Sequence, residues 1–150
     1  MATNYPPLGF HFLVEFPTVS KGEFQFQSVS GLKATLETMN IAEGGENRFK
    51  HKLPVRTDYS NLILKRGLMA KKSELFLWCM DAIENFNIRP VNMVVKLLNE
   101  KHEPLMTWNV VHAYPIKWEV SDFNAEENKL VIETIELVYN YFKTQKQDAD

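Results

Sequence analysis

The sequence predicts a mainly β fold, a small antiparallel β-barrel or sandwich with one flanking α-helix. Three observations lead there. Period-two alternation of apolar and polar residues recurs along most of the chain, and a single stretch has helical spacing. The 150 residues, 45% hydrophobic and 24% charged, suit one globular unit without staples. A chain of this size buries roughly 68–70% of its unfolded surface.

The elements follow in order. From Gly9 to Phe16, residues Phe10, Phe12, Val14 and Phe16 face one way and His11, Leu13 and Glu15 the other. Pro17 to Gly22 carries turn residues. Phe24 and Phe26 alternate with glutamines, giving a second strand hairpinned to the first. Lys33 to Ala42 reads as a third strand. Glu43 to Ser60 contains Gly44–Gly45, Pro54 and little apolar periodicity, so an extended loop or hairpin is expected over about 44–66, ending in a short strand, Asn61 to Arg66.

The helix is placed at about 73–86. Ser73 is a suitable N-cap, and Leu75, Cys79, Ala82, Ile83 and Phe86 recur at three- and four-residue steps. Pro90 prevents its continuation. Strands are then expected at Val91 to Asn99, Leu105 to Tyr114 and, after an interruption at Pro115, Ile116 to Val120. Leu130 to Phe142 reads as the longest strand. Residues 1–8 and 144–150 are expected to be flexible ends of one domain covering 1–150.

Half-solvated strands should be polar outside. Here Leu13, Val94, Leu98, Val111 and Ile132 fall opposite the expected core. One helix cannot cover seven strands, so a neighbouring subunit is the expected cover.

Charge is segregated. Arg48 to Lys72 holds eight basic residues against Asp58, a net +7, whereas the chain as a whole carries −2. The final third is acidic, with Glu119, Asp122, Glu126, Glu127, Glu133 and Glu136. A basic extension (Arg48, Lys50, Lys52, Arg56) meeting an acidic rim (Glu119, Asp122, Glu126, Glu127) would join identical copies head to tail, a contact that generates rings or filaments. Nucleic acid is a poorer partner for the basic segment, since the chain is acidic overall and interleaves only Phe49 and Tyr59 with its cations.

Catalytic and metal constellations do not emerge. His11, His51, His102 and His112 are scattered, leaving open only a zinc site assembled from distant strands. Glu133 and Glu136 lie on opposite strand faces and cannot cooperate as a carboxylate pair. Gly44–Gly45 lacks a phosphate-loop context. Cys79, the single cysteine, lies between Trp78 and Met80 and reads as a buried inert thiol. No catalytic residue, cofactor or metal is therefore expected. Met1 to Pro7 lacks the features of a signal peptide and no run reaches the length of a membrane span, so synthesis in the cytoplasm without membrane insertion is expected.

An ordered set of short stretches carries a family resemblance. These are Val29-Ser30-Gly31-Leu32, Glu43-Gly44-Gly45, Lys52-Leu53-Pro54, Asn61-Leu62 with Leu64-Lys65-Arg66-Gly67, Pro115 with Lys117-Trp118, Asn124-Ala125, Ile132-Glu133-Thr134 and Glu136-Leu137. Spread from Phe10 to about Leu137, they resemble the tail-tube family of contractile phages and contractile injection systems. More distantly the chain is similar to the haemolysin-coregulated tube protein of type VI secretion. It departs at Val55, where many members have glycine, and at Lys129, where many have an acid.

The resemblance implies a structural, non-enzymatic subunit. Six copies would form a ring around a lumen, and rings would stack through the extended loop or hairpin. Implied partners are other copies, a contractile sheath, baseplate, spike and tube-initiator proteins, and a luminal cargo or tape-measure protein. Implied location is the bacterial cytoplasm during assembly, then a phage tail or released particle. Two alternatives stand beside this reading: a baseplate-proximal initiator or adaptor, and a stand-alone ligand-binding β-barrel.

Overall fold

The computed structural model describes residues 10–42, 44–45, 51–68, 73–122, 126 and 131–146. Among the described residues ten strands and one helix run in the order β1 (His11–Glu15), β2 (Glu23–Phe26), β3 (Ser28–Ser30), β4 (Ala34–Ile41), β5 (His51–Tyr59), β6 (Leu62–Gly67), α1 (Glu74–Asn85), β7 (Val91–Leu98), β8 (Pro104–Val120), β9 (Ile132–Val138) and β10 (Tyr141–Lys146). The architecture is an open, sandwich-like antiparallel arrangement, not a closed barrel. Neighbouring strands follow the path β2-β1-β7-β8-β9-β6-β3, with β10 on β8, while β4 and β5 form a separate two-stranded sheet.

The long strand β8 is shared by both layers. Its first half pairs with β7 on one side and β10 on the other, and its second half pairs with β9. Pro115 was expected to interrupt this strand and does not. Two irregularities absorb the change of partner. One lies between Val91 and Met93 on β7, where the Asn92 side-chain carbonyl accepts the His112 N–H at 3.2 Å; the other sits beside Pro115, between it and Lys117. Bulges of this kind bend a strand without ending its pairing. The longest strand is thus β8, and the expected Leu130 to Phe142 strand is divided at Tyr139–Asn140 into β9 and β10.

The first two strands form the expected hairpin, Phe12 opposite Phe26 and Val14 opposite Phe24. Beyond β2, the Gln27 N–H bonds Lys65 O at 2.9 Å, so one extended segment meets β1 with its first half and β6 with its second. The core between the layers includes Val14, Phe16, Phe26, Leu64, Met93, Val95, Ile135 and Leu137. Leu98, expected on the outer face, is buried beside a register shift at the end of β7. Leu13, Val94, Val111 and Ile132 are half-buried.

The helix caps as expected: Ser73 Oγ accepts the Phe76 N–H at 3.1 Å. It also ends where expected: the chain turns left-handed at Phe86, with φ 56°. Leu75, Trp78, Cys79 and Ala82 make the buried stripe, while Ile83 and Phe86 face outward. Trp78 was not among the residues expected on the stripe, although it stands three residues after Leu75 and four before Ala82; its Nε1 donates to Arg89 O at 3.0 Å, which permits burial.

The expected flexible end is partly structured, since Thr144 to Lys146 extend β10 opposite Trp108 to Met106. The other expected flexible residues, 1–8 and 147–150, lie outside the described residues.

Candidate assembly interface

The β4–β5 hairpin is the most unusual surface of the molecule. Eight residue pairs run from Ala34 opposite Tyr59 to Ile41 opposite His51. Much of the expected loop is therefore strand, and the extended feature begins earlier than expected, at Ala34. Sequence periodicity failed here for two reasons. Pro54 is an unusual strand residue, and a register shift between Glu37 and Thr38 leaves Val55 as the extra residue, breaking the alternation. Val55 is also where the chain departs from the glycine common in the resembling family.

Nearly the whole hairpin is exposed. Leu36, Met39, Ile41, Leu53 and Val55 are each 41–60% accessible. Residues directly opposite share a face. Leu36 and Thr57 thus occupy one face near the base, and Met39 with Leu53 the other face toward the tip. An isolated two-stranded ribbon is marginal in water, and this one presents apolar side chains on both faces and open backbone on both edges.

The hairpin's base is held firmly. Tyr59 packs edge-on against Phe142 and Tyr139, at centroid distances of 5.0 and 6.0 Å. Burial, together with Tyr59 and Asp58 nearby, pushes the Tyr139 hydroxyl up to about 12. The Ser60 N–H bonds Lys33 O at 3.3 Å. Gly31, at φ +92°, lies so close to the Asn61 carbonyl that a Cβ would stand 1.8 Å from its oxygen. Only glycine fits that crossing.

The charged residues expected at the interface are placed as follows. Lys52 lies on β5 opposite Asn40, fully on the surface. Arg56 donates from Nε to Glu37 Oε2 across the hairpin at 2.6 Å, and that bond holds the guanidinium's pKa above its ordinary value. Glu119 pairs with Lys117 at 3.2 Å, and Asp122 and Glu126 are exposed. Arg48, Lys50 and Glu127 lie outside the described residues.

Strand register sets the two groups apart. The hairpin joins β6 at Leu62, which pairs with Leu137; the other end, Gly67, pairs with Ile132. Val120 faces Glu133, so Glu119 and Asp122 belong to that second end. Five strand steps separate the ends, roughly 17 Å.

Three members of the expected charge groups do not belong to them. Arg66 and Glu133 are 6% and 2% exposed and bond each other at 3.2 Å inside the molecule. Glu136 accepts from Asn61 Nδ2 at 3.1 Å, near the hairpin base and away from the acidic end. The signal was present: Arg66 shares parity with Leu62 and Leu64, and Glu133 with Ile135 and Leu137.

Around that pair the Trp118 indole donates to Glu133 Oε1 at 3.0 Å, and the guanidinium lies 5.6 and 5.2 Å from the Phe24 and Phe26 ring centres. It also reaches Ser73 Oγ at 3.5 Å, touching the helix cap. Three of the stretches that carried the resemblance, Leu64 to Gly67, Lys117–Trp118 and Ile132 to Thr134, meet at this point. They build the joint between the layers and the helix.

The tail-tube protein family of T4-like viruses, gp19, matches residues 8–143. The chain belongs to this family. Solved relatives span nearly the same length. A chain in the anti-feeding prophage baseplate structure is 32% identical, with 97% of this chain and 98% of that one covered and a TM-score of 0.79. A chain in the sheath–tube complex of the PVC extracellular contractile injection system is 28% identical over 96% and 94%, with a TM-score of 0.77. Hcp1 from Flavobacterium johnsoniae, at 15% identity over 93% and 98% and a TM-score of 0.61, shares the fold. No curated protein matches the chain.

Among the described residues no group of three or more His, Cys, Asp or Glu could hold a metal. Burial pushes the Cys79 thiol up to about 12, keeping it inert as expected. No helix among the described residues is long and apolar enough to cross a membrane.

Proposed function

We propose that the chain acts as one tail-tube domain, six copies of which form a ring, with rings stacked into the inner tube of a contractile injection particle. The β4–β5 hairpin carries this reading. It is an arm whose apolar faces stay exposed within its own subunit, joined to sheet β8-β9-β6 at the end opposite the acidic one. Stacking would set the arm, with Lys52 and Arg56 and the neighbouring Arg48 and Lys50, against Glu119, Asp122, Glu126 and Glu127 of the next ring. The sheath would meet the outer wall, baseplate and initiator proteins would start polymerisation, and cargo would pass through the lumen. The work of such a subunit is geometric: a rigid conduit driven forward by its sheath.

Electron microscopy of the purified protein tests the reading, with rings or tubes expected. Tube growth should stop, with the fold retained, when Lys50, Lys52 and Arg56 are replaced by glutamate; normal tubes from that variant would overturn the stacking contact. A second place in the same machine, at the baseplate, is favoured by the 32% identity to a chain in a baseplate structure. Copy number relative to sheath in isolated particles separates the two: one subunit per sheath subunit for the tube, a few per particle for the baseplate.

A further inference from the structure

Two of the four histidines, distant in sequence, meet at one end of the β1–β7 edge. His11 opens β1 opposite Leu98, and His102 lies in the turn from β7 to β8. Their facing nitrogens, His11 Nε2 and His102 Nδ1, are 3.1 Å apart, with ring centroids at 4.5 Å and an interplanar angle of 72°.

The turn that presents His102 is tightly built. Asn99 Oδ1 accepts the N–H groups of Lys101 and Glu103 at 2.8 and 2.9 Å, and the His102 N–H bonds Asn99 O at 3.0 Å. His102 itself is left-handed, with φ 62°. A turn position of this kind ordinarily takes glycine or asparagine. Here it takes an imidazole, and the left-handed backbone sets that ring against His11.

In the free pair one facing nitrogen carries a proton and the other a lone pair. A neutral imidazole can move its proton to the far nitrogen, leaving two lone pairs side by side. Metal–nitrogen bonds of about 2.0–2.1 Å in a tetrahedron put neighbouring donors about 3.3 Å apart, close to the separation already present. Imidazole suits copper, nickel and zinc. His11 is half-buried and His102 exposed, so the remaining coordination positions open to solvent.

We infer that His11 and His102 form a two-imidazole site for a divalent late transition metal, with water completing the coordination. The site is independent of the stacking arm, since neither histidine belongs to β4, β5 or the acidic end.

The test is titration of the tag-free protein with Cu(II) and Ni(II), followed by calorimetry and by paramagnetic resonance of the copper form. One ion per subunit is expected, with hyperfine structure from two imidazole nitrogens. His11→Gln and His102→Asn should each weaken binding about tenfold or more; asparagine tolerates the left-handed turn, and circular dichroism verifies both folds. His51→Gln should leave affinity unchanged. Absence of saturable binding, or equal affinity in the folded His11→Gln and His102→Asn variants, would overturn the assignment.

Discussion

Arg66 and Glu133 face each other across β6 and β9, and their side chains bond at 3.2 Å with almost no access to solvent. Neither charge could be left alone there. Trp118 takes the second carboxylate oxygen, Phe24 and Phe26 flank the guanidinium, and no buried side-chain nitrogen or oxygen among the described residues lacks a partner. Removing one member of such a pair leaves an uncompensated buried charge, which costs about 3–5 kcal/mol.

Urea denaturation should therefore show Glu133→Ala and Arg66→Ala each destabilised by about that amount. The double variant should cost less than the sum of the two, because the second substitution removes the orphaned charge. Additive losses would show that the pair is not coupled.

Gly31→Ala should be among the most damaging single-atom additions. A Cβ would meet the Asn61 carbonyl, and the φ of +92° is unfavourable to alanine besides. A loss of at least about 2–3 kcal/mol is expected, combining strain and clash. Gly22→Ala is the control: its φ is +105° with open space around the new methyl, so strain alone, about 1–2 kcal/mol, should register.

The hairpin's exposed apolar residues should matter to assembly and little to folding. Leu36→Ser with Met39→Ser and Leu53→Ser removes apolar area that the free subunit leaves in water, so its melting temperature should hold within a few degrees. Rings or tubes should disappear from electron micrographs and from sedimentation profiles. Intact tubes would mean that the hairpin is not the arm.

Cys79 gives a pH-dependent check. Burial raises its thiol from an ordinary 9.0 to about 12 in the folded chain. A folded-state pKa above the unfolded one means stability is fully present below the unfolded value and is lost as pH rises through the window from 9 to about 12. Native protein should resist a thiol reagent at pH 8 and react once urea unfolds it. Cys79→Ala should flatten the alkaline loss of stability, less the share that Tyr139 contributes in the same direction.

Much of this protein was legible from local pattern. Strand periodicity over Phe10 to Phe16 and Val91 to Leu97, the Ser73 cap and the burial of Cys79 all follow from interactions within a few residues, which is the range over which sequence acts directly. Where two elements had to agree, local pattern ran out. Arg66 and Glu133 counted as opposite surface charges until register placed them face to face. The β8 strand passed through Pro115 because β7 and β9 take different halves of it, and β5 hid behind Pro54 and the extra residue Val55.

The sequence alone therefore determined the class of the molecule, its single helix, its segregated charge and, through ordered short stretches, the resemblance to tail-tube proteins. Tertiary structure decided which charges stay on the surface and which are buried in the joint, where the exposed hairpin begins, and that His11 meets His102. The reason is physical: hydrophobic period and capping are written along the chain, whereas the partner of a buried charge or an open strand edge is set only when distant segments come into register.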